Sequence, residues 1–424
     1  MRANLTGKKV LLGVTGSIAI YKAAEVARLL IKSGAEVRVV MSEAAQRFVT
    51  PLTFEALTHN TVLREETESW SSDLNHIDIG KWADIFLIAP ATANTLNKLS
   101  KGIADNLLLQ TALAFGGALL VAPAANTRMI ANPHTEASLK MLGVNDVQII
   151  RPQSKLLACG DEGNGALADP IEIYWQTARA LMTRPFWQDR KVVVTGGGTR
   201  ERLDEVRYLS NYSSGKMGKA LATALYLRGA DVCYVTTMPH DDLPGEIYTV
   251  DVEDAAEMHE YVVDCLRTAK KGKLSKPSIH TADPVHWIQK TPYLFMAAAV
   301  ADYAPKFSQD GKLKKDALGS EWSLDLAQTV DILKSIDKTG IVTIGFKAEM
   351  DKEKGKENAQ GLIERKGVDA VCFNLLEDRE SFGTDDNKVI FLTRDKEIDL
   401  GRHPKLELAF KILDESEKLD HEKA

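Results

Sequence analysis

The sequence predicts an α/β protein built of two doubly wound, Rossmann-like domains, and three observations lead there. Twice a basic pair opens a short apolar run that stops at glycines: Lys8-Lys9 into VLLGVTGS, and Arg190-Lys191 into VVVTGGGT, about 180 residues later. Each start heads an alternation of apolar strands and amphipathic helices, the pattern of a parallel sheet with crossover helices. The chain has 424 residues, 44% hydrophobic and 26% charged, enough for two ordinary cores of about 100 to 200 residues each. A strand that ends in glycines and opens a helix sets backbone N–H groups and the positive helix end against a phosphate, an approach that a Cβ would block.

Composition removes several function classes. The formal charge of −6 gives no general attraction to nucleic acid, and no basic stripe interleaved with aromatics appears. The N-terminus MRANLTGKKVLLGV has no long apolar run after its charges, so no signal peptide is expected. The longest apolar stretch, from Leu107 to Ala125, is broken by Gln110, Thr111, Gly116-Gly117 and Pro123, and reads as a buried helix, a turn and a buried strand, not a membrane span. Four cysteines without CxxC spacing make neither a disulfide framework nor a zinc site. Small-molecule substrates and a reducing cytoplasm are expected.

In the first half the elements run as strand 8–13, helix 17–33, strand 35–41, helix 43–48, an irregular stretch to His76, then strands 84–89 and 118–122. The last two end almost alike, in Ala89-Pro90-Ala91-Thr92-Ala93-Asn94-Thr95 and Ala122-Pro123-Ala124-Ala125-Asn126-Thr127. Ligands of doubly wound sheets sit beyond the carboxyl ends of strands, so these segments line one pocket, although Thr and Asn are also good helix caps. The second strand, VRVVMS, ends without the acidic residue that would hold a dinucleotide ribose, and GVTGS is not GxGxxG. NAD is disfavoured. FMN needs the glycine turn, Ser17 and Ser42, and small residues beside its ring. Cys233 and Cys372 lie in apolar strands and read as core; Cys159, in the glycine and acid loop ACGDEGNGALA, does not. His76 alone is weak evidence, but with Asn126 and Cys159 it completes a set for proton transfer.

The second half follows Thr183-Arg184-Pro185. Its first strand closes on Gly196, Gly197 and Gly198, and its second, DVCYVTT, again lacks a terminal acid, so a triphosphate is expected instead of NAD. The run from Arg207 to Lys216 is dense in hydrogen-bonding groups. FMAAAVADY ends a buried strand at Asp302, and GKLKKD brings Lys312, Lys314 and Lys315 ten residues later. The insertion KKGKLSKPSIHTADPVHWIQK reads as a surface excursion and the end, DESEKLDHEKA, as a polar tail; neither is assigned chemistry.

Taken together, GVTGS, Asn75-His76, APATANTLNKLSKGIADNLL, PAANTRM and ACGDEGNGALA resemble the flavin-dependent cysteine decarboxylases. The second half, VVVTGGGTRERLDEVRYLSNYSSGKMG with AAAVADY and GKLKK, resembles the phosphopantothenoylcysteine synthetases. The fused pair is similar to the bacterial bifunctional coenzyme A biosynthesis proteins over nearly the whole chain. That resemblance implies a decarboxylase in 1–184 and a ligase in 185–424. In the first, FMN would be held around Gly13, Gly16, Ser17, Ser42, Pro90, Ala91, Thr92 and Asn94. His76 would act as acid and base, Asn126 would hold the substrate carboxylate and Cys159 would deliver a late proton. The chemistry needs a flavin because an N-acylated cysteine has no electron sink for the carbanion left by CO₂ until its thiol carbon is oxidised.

In the ligase, the resemblance makes Lys312 the residue on the nucleotide α-phosphate, Asp302 a nucleotide or Mg²⁺ contact, Phe346 a base contact and Lys366 a phosphate ligand. Arg207 and Asn211 would act on the acyl-nucleotide. Gly197, Gly198, Met296, Ala297, Ala298, Val330, Asp331, Ile332 and Leu333 would form the nucleotide site. The implied substrates are 4′-phosphopantothenate, cysteine and CTP, the cofactors FMN and Mg²⁺, and the assembly a homo-oligomer, a dodecamer of decarboxylase trimers and ligase dimers. Three positions depart from the family pattern: Ala125 and Ile130 stand for Met and Trp, and Leu362 for the residue that usually accompanies Lys366 four positions earlier. The rival classes are the flavin prenyltransferases and non-catalytic decarboxylase-like regulators; the former should lack the Cys159 loop and the fused synthetase, and the latter typically carry acidic extensions and incomplete sites.

Overall fold

In the computed structural model, which describes residues 1–156, 162–280, 284–312, 321–349, 352–375 and 383–422, the two glycine-ended runs are the inner strands of two separate sheets. The chain divides into two compact units, one of residues 2–182 with 275–286, the other of 183–274 and 287–424 with Met1.

The first unit is built on β1 (Lys9–Val14), α1 (Ile20–Lys32), β2 (Glu36–Met41), α2 (Glu43–Gln46), α3 (Pro51–Thr58), α4 (His76–Trp82), β3 (Ile85–Ala91), α5 (Ala93–Leu99), α6 (Leu107–Ala114), β4 (Ala118–Pro123), α7 (Thr127–Ile130), α8 (Pro133–Val144), β5 (Gln148–Ile149), β6 (Gln153–Leu156), β7 (Glu162–Ala166) and α9 (Pro170–Met182). Its sheet has the order β2-β1-β3-β4-β5, parallel throughout. Every residue of β3, IFLIAPA, is buried, as a parallel strand covered on both faces requires.

Two local expectations change. The first helix starts at Ile20, not residue 17, because the Ser17 N–H donates to Thr15 O and Ile20 N–H to Ser17 O, a tight turn that must close first. The stretch expected to be irregular contains α3, entered by Pro51 at its first turn and ended by His59 in the left-handed region at φ +56°. Only Phe54 of α3 is buried, so no apolar period announced it.

The second unit carries β8 (Lys191–Gly196), β9 (Glu201–Arg202), β10 (Tyr208–Leu209), α10 (Lys216–Leu227), β11 (Asp231–Thr236), β12 (Tyr248–Asp251), α11 (Ala255–Ala269), β13 (Lys273–Leu274), β14 (Trp287–Ile288), β15 (Tyr293–Met296), β16 (Tyr303–Pro305), β17 (Leu326–Gln328), α12 (Ile332–Ser335), β18 (Val342–Glu349), α13 (Lys352–Lys366), β19 (Ala370–Leu375), β20 (Asp386–Leu392), β21 (Glu397–Pro404) and α14 (Lys405–Ser416). Its eight-stranded sheet runs β12-β11-β8-β15-β18-β19-β20-β21, parallel as far as β19 and antiparallel beyond. The α10 helix packs on β8 through glycine: a Cβ on Gly218 would lie 2.8 Å from Gly196 Cα. This close helix-to-strand contact is the role of a glycine in a nucleotide-binding crossover.

The insertion is an antiparallel ribbon of β13 and β14. Its residues 275–286 count with the first unit, where Ile279 N–H donates to Val144 O and Ser278 Oγ to Asp146 Oδ2. Among the described residues no helix is long and apolar enough to cross a membrane.

Candidate functional site: two clefts at strand ends

At the carboxyl ends of β1, β2, β3 and β4 the first unit opens a cleft of about 770 Å³. Gly16, Ser17 and Ser42 form one wall, Thr92 and Asn94 a second, and Ala124, Ala125 and Met129 a third. Thr15 ties two of these turns together, its Oγ1 donating to Pro90 O at 2.6 Å while accepting from Thr92 N–H at 3.1 Å. A Cβ on Gly16 would sit 2.6 Å from Ala44 Cβ, so the turn closes only around glycine. Ser42 Oγ is buried and meets no hydrogen-bond partner, although it faces the start of α2.

An orphaned hydroxyl, a glycine cradle and small residues opposite are what a phosphorylated, flat-ringed cofactor requires, since a buried polar atom without a partner carries a cost that a ligand can remove. Gly13, Pro90 and Ala91 lie off the lining. Gly13 is a packing position, where a Cβ would be 2.9 Å from the Phe86 ring. The capping roles of Thr92 and Asn126 are real as well: Thr92 Oγ1 accepts from Thr95 N–H, and Asn126 Oδ1 from Arg128 N–H.

His76 is the first residue of α4, placed there by Asn75, whose buried Oδ1 accepts from the N–H groups of Ile77 and Asp78. Its Nδ1 donates to Glu68 Oε1 at 2.7 Å, and Trp70 meets its ring edge-on at 5.4 Å. The carboxylate orients the imidazole and leaves Nε2 to move a proton. Glu68 was not legible in sequence, because it reaches His76 from an irregular stretch eight positions earlier. Neither His76 nor Asn126 is among the residues lining the cleft of a single chain.

Cys159 lies outside the described residues. The strands flanking its segment are β6 and β7, so residues 162–166, expected as loop, are an antiparallel strand. The reason is close packing: Ala125 N–H donates to Gly165 O, and a Cβ on Gly163 or Gly165 would strike Thr127 or Ala125 O. The hairpin thus rests on the segment that carries Asn126.

The second unit has a cavity of about 560 Å³ lined from the ends of β15 and β18. Met296, Ala297, Ala298, Asp302, Val330, Asp331, Ile332, Leu333, Phe346, Lys366 and Asn211 are among the residues that line it. Asn211 is fixed there by donating from Nδ2 to Val300 O at 3.0 Å. Lys366 pairs with Asp331 at 3.1 Å, and Leu362 lines the same cavity.

Gly197 and Gly198, expected in the nucleotide site, are not among the lining residues. Gly197 has φ +87°, and a Cβ there would be 2.1 Å from Thr237 Oγ1, while one on Gly198 would be 2.9 Å from Asn211 O. Arg207 is not in the lining; Asp204 holds its guanidinium at 2.6 and 3.0 Å. Lys312 is exposed and likewise outside the lining, next to residues 313–320, which include Lys314 and Lys315 and are not described.

Three cations that sequence reasoning did not assign also line the cavity, Lys216, Lys347 and Lys405, of which Lys347 pairs with Glu349 at 3.1 Å. Lys216 stood in the motif SSGKMG and was available to it. Lys405 opens α14, far along the chain, and burial, followed by the neighbouring Lys216, holds its ammonium below the usual lysine range. Among the described residues no cluster of three or more metal-ligating side chains exists. Asp302, in the lining, is a single carboxylate, which suits the mode in which Mg²⁺ takes one or two carboxylates and completes its shell with substrate phosphates and water.

The first cleft lies in a flavoprotein domain and the second in a pantothenate-metabolism domain. Residues 1–182 match the Flavoprotein family, and residues 187–271 and 282–419 match the DNA/pantothenate metabolism flavoprotein C-terminal domain. The chain is 33% identical over 421 residues to the coenzyme A biosynthesis bifunctional protein CoaBC of Vibrio parahaemolyticus, covering 98% of this chain and 99% of that one. The Bacillus subtilis and Haemophilus influenzae proteins of the same name are 36% and 34% identical, each covering 97% of both chains. The chain belongs to this family of bifunctional coenzyme A biosynthesis proteins.

Proposed function

We propose that residues 185–424 join 4′-phosphopantothenate to cysteine through an acyl-cytidylate made from CTP, and that residues 1–184 decarboxylate the product to 4′-phosphopantetheine with FMN. The observation that carries this reading is the pair of strand-end clefts, one with a glycine cradle and an orphaned Ser42 hydroxyl, the other ringed by cations and backbone turns. Supplying phosphopantothenoylcysteine alone should give CO₂ without CTP, and supplying phosphopantothenate, CTP and Mg²⁺ alone should give pyrophosphate without CO₂. Failure of both half-reactions would refute the reading.

In the decarboxylase, Gly16, Ser17, Ser42, Thr92 and Asn94 would hold FMN. When bound, FMN supplies the two-electron oxidation at the thiol carbon that lets CO₂ leave, and then returns the electrons. Nε2 of His76, with Nδ1 locked on Glu68, moves the substrate proton, Asn126 binds the carboxylate, and Cys159 protonates the product. Gly16→Val should cost most of the bound flavin, because its side chain would run into Ala44; the 450 nm region absorbance of the purified variant against the parent reads this. Cys159→Ser should still release CO₂ but accumulate an oxidised enethiol, a mass difference of two hydrogens in the product. Normal yield of reduced product would remove Cys159 from the mechanism.

In the ligase, a carboxylate must gain a leaving group before an amine can attack it. Lys312 stabilises the charge that develops on the α-phosphate, Lys366 holds a phosphate, Phe346 meets the base, and Asp302 takes part in Mg²⁺ binding. Asn211 and Arg207 serve the attack by the cysteine amine on the acyl-nucleotide.

His76 and Asn126 stand off the cleft of one chain, and Ile18, Tyr21, Phe48 and Leu52 are 49 to 69% exposed around α1 to α3. Both observations support a decarboxylase trimer and, with a ligase dimer, a closed dodecamer; the enzyme would work in the cytoplasm. Light scattering should give a mass many times 46.6 kDa. A monomer that retains FMN would contradict the assembly.

A further inference from the structure

Two of the four cysteines, 32 positions apart in sequence, meet inside the second unit. Cys233 lies in β11 and Cys265 near the end of α11, and their Sγ atoms are 2.8 Å apart. Both side chains pack against the apolar core below that helix, yet both are only partly buried, whereas Cys372 of β19 is fully buried. Neither thiol lines the nucleotide cavity.

We propose that Cys233 and Cys265 are a modification site, a thiol pair that peroxides convert to a reversible disulfide joining β11 to α11. The two sulfurs have different parts to play. The hydrogen bond between the two sulfurs holds the Cys265 thiol below its ordinary range and, with burial second, pushes Cys233 up. Thiolate, not thiol, attacks peroxide. Cys265 sulfur therefore attacks one peroxide oxygen, the O–O bond breaks, and a sulfenic acid forms as hydroxide leaves and takes a proton to become water. Cys233 sulfur then attacks the sulfenic sulfur; the S–S bond forms, the S–O bond breaks, and the departing hydroxide takes the Cys233 proton as a second water. Two thiols are oxidised by two electrons and one peroxide is reduced to two waters. Attack by a dithiol restores both thiols.

The sequence makes the test direct, since no lysine or arginine falls between Arg228 and Arg267, and one tryptic fragment, 229–267, holds both cysteines. The full-length protein is treated with hydrogen peroxide, alkylated with N-ethylmaleimide in denaturant, digested and weighed. Fragment 229–267 should be unlabelled and lighter by two hydrogens, while the Cys372 fragment is labelled; dithiothreitol before alkylation should restore two labels. In Cys233→Ser, dimedone should trap a sulfenic acid on Cys265, and in Cys265→Ser, Cys233 should remain free to alkylate. Both variants should keep the parent's pyrophosphate release, which confirms the fold. Two labels after peroxide, or two oxygens added to Cys265 with Cys233 still free, would overturn the proposal.

Discussion

Lys312→Gln is expected to abolish formation of the acyl-nucleotide, lowering pyrophosphate release from phosphopantothenate and CTP by about 10²-fold or more, the usual result of removing one group that stabilises transition-state charge. The side chain is exposed and at the border of the described residues, so its loss should leave the melting temperature unchanged. Asn211→Asp should fail one step later. Its present side chain is anchored to Val300 O in the cavity lining, where a carboxylate has no hydrogen to donate, and the acyl-cytidylate should accumulate when cysteine is added. Chromatography of each variant with and without cysteine separates the two failures. Normal pyrophosphate release by Lys312→Gln without cysteine would exclude the assigned role, and faster release from ATP than from CTP would change the nucleotide while leaving the ligase.

His76→Asn should block the other half before CO₂ leaves, with a loss of about 10² to 10⁴-fold, the range of a positioned acid or base. Glu68→Gln should act in the same direction more weakly, because Gln can still accept from Nδ1 but no longer supports a charged ring. The readouts are CO₂ release from supplied phosphopantothenoylcysteine and flavin content, which should stay at the parent level. Rapid decarboxylation by His76→Asn would refute its role.

What the sequence made legible is whatever rests on local chemistry. Both glycine turns close where expected, because a Cβ at Gly16 or Gly197 collides with Ala44 or Thr237 and no other residue fits. The paired APA endings both reach the one cleft, through Thr92 to Thr95 and through Ala124 and Ala125, because strand ends in a parallel sheet lie on one edge. What stayed hidden depends on distance. The α3 helix buries one aromatic and shows no period, Glu68 reaches His76 across an irregular stretch, and Lys405 comes to the nucleotide cavity from the last helix. The glycines of ACGDEGNGALA suggest a loop, yet Gly163 and Gly165 are there because β7 presses on Thr127 and Ala125.

The account's central claim is that one chain carries out ligation and decarboxylation in sequence. The most direct measurement gives the purified, flavin-loaded protein 4′-phosphopantothenate, cysteine, CTP and Mg²⁺, and counts CO₂ against CMP as product forms. The account predicts 4′-phosphopantetheine with CO₂ and CMP released in equal amounts, and CO₂ absent when CTP is withheld. CMP release that proceeds while phosphopantothenoylcysteine accumulates and no CO₂ appears would contradict it.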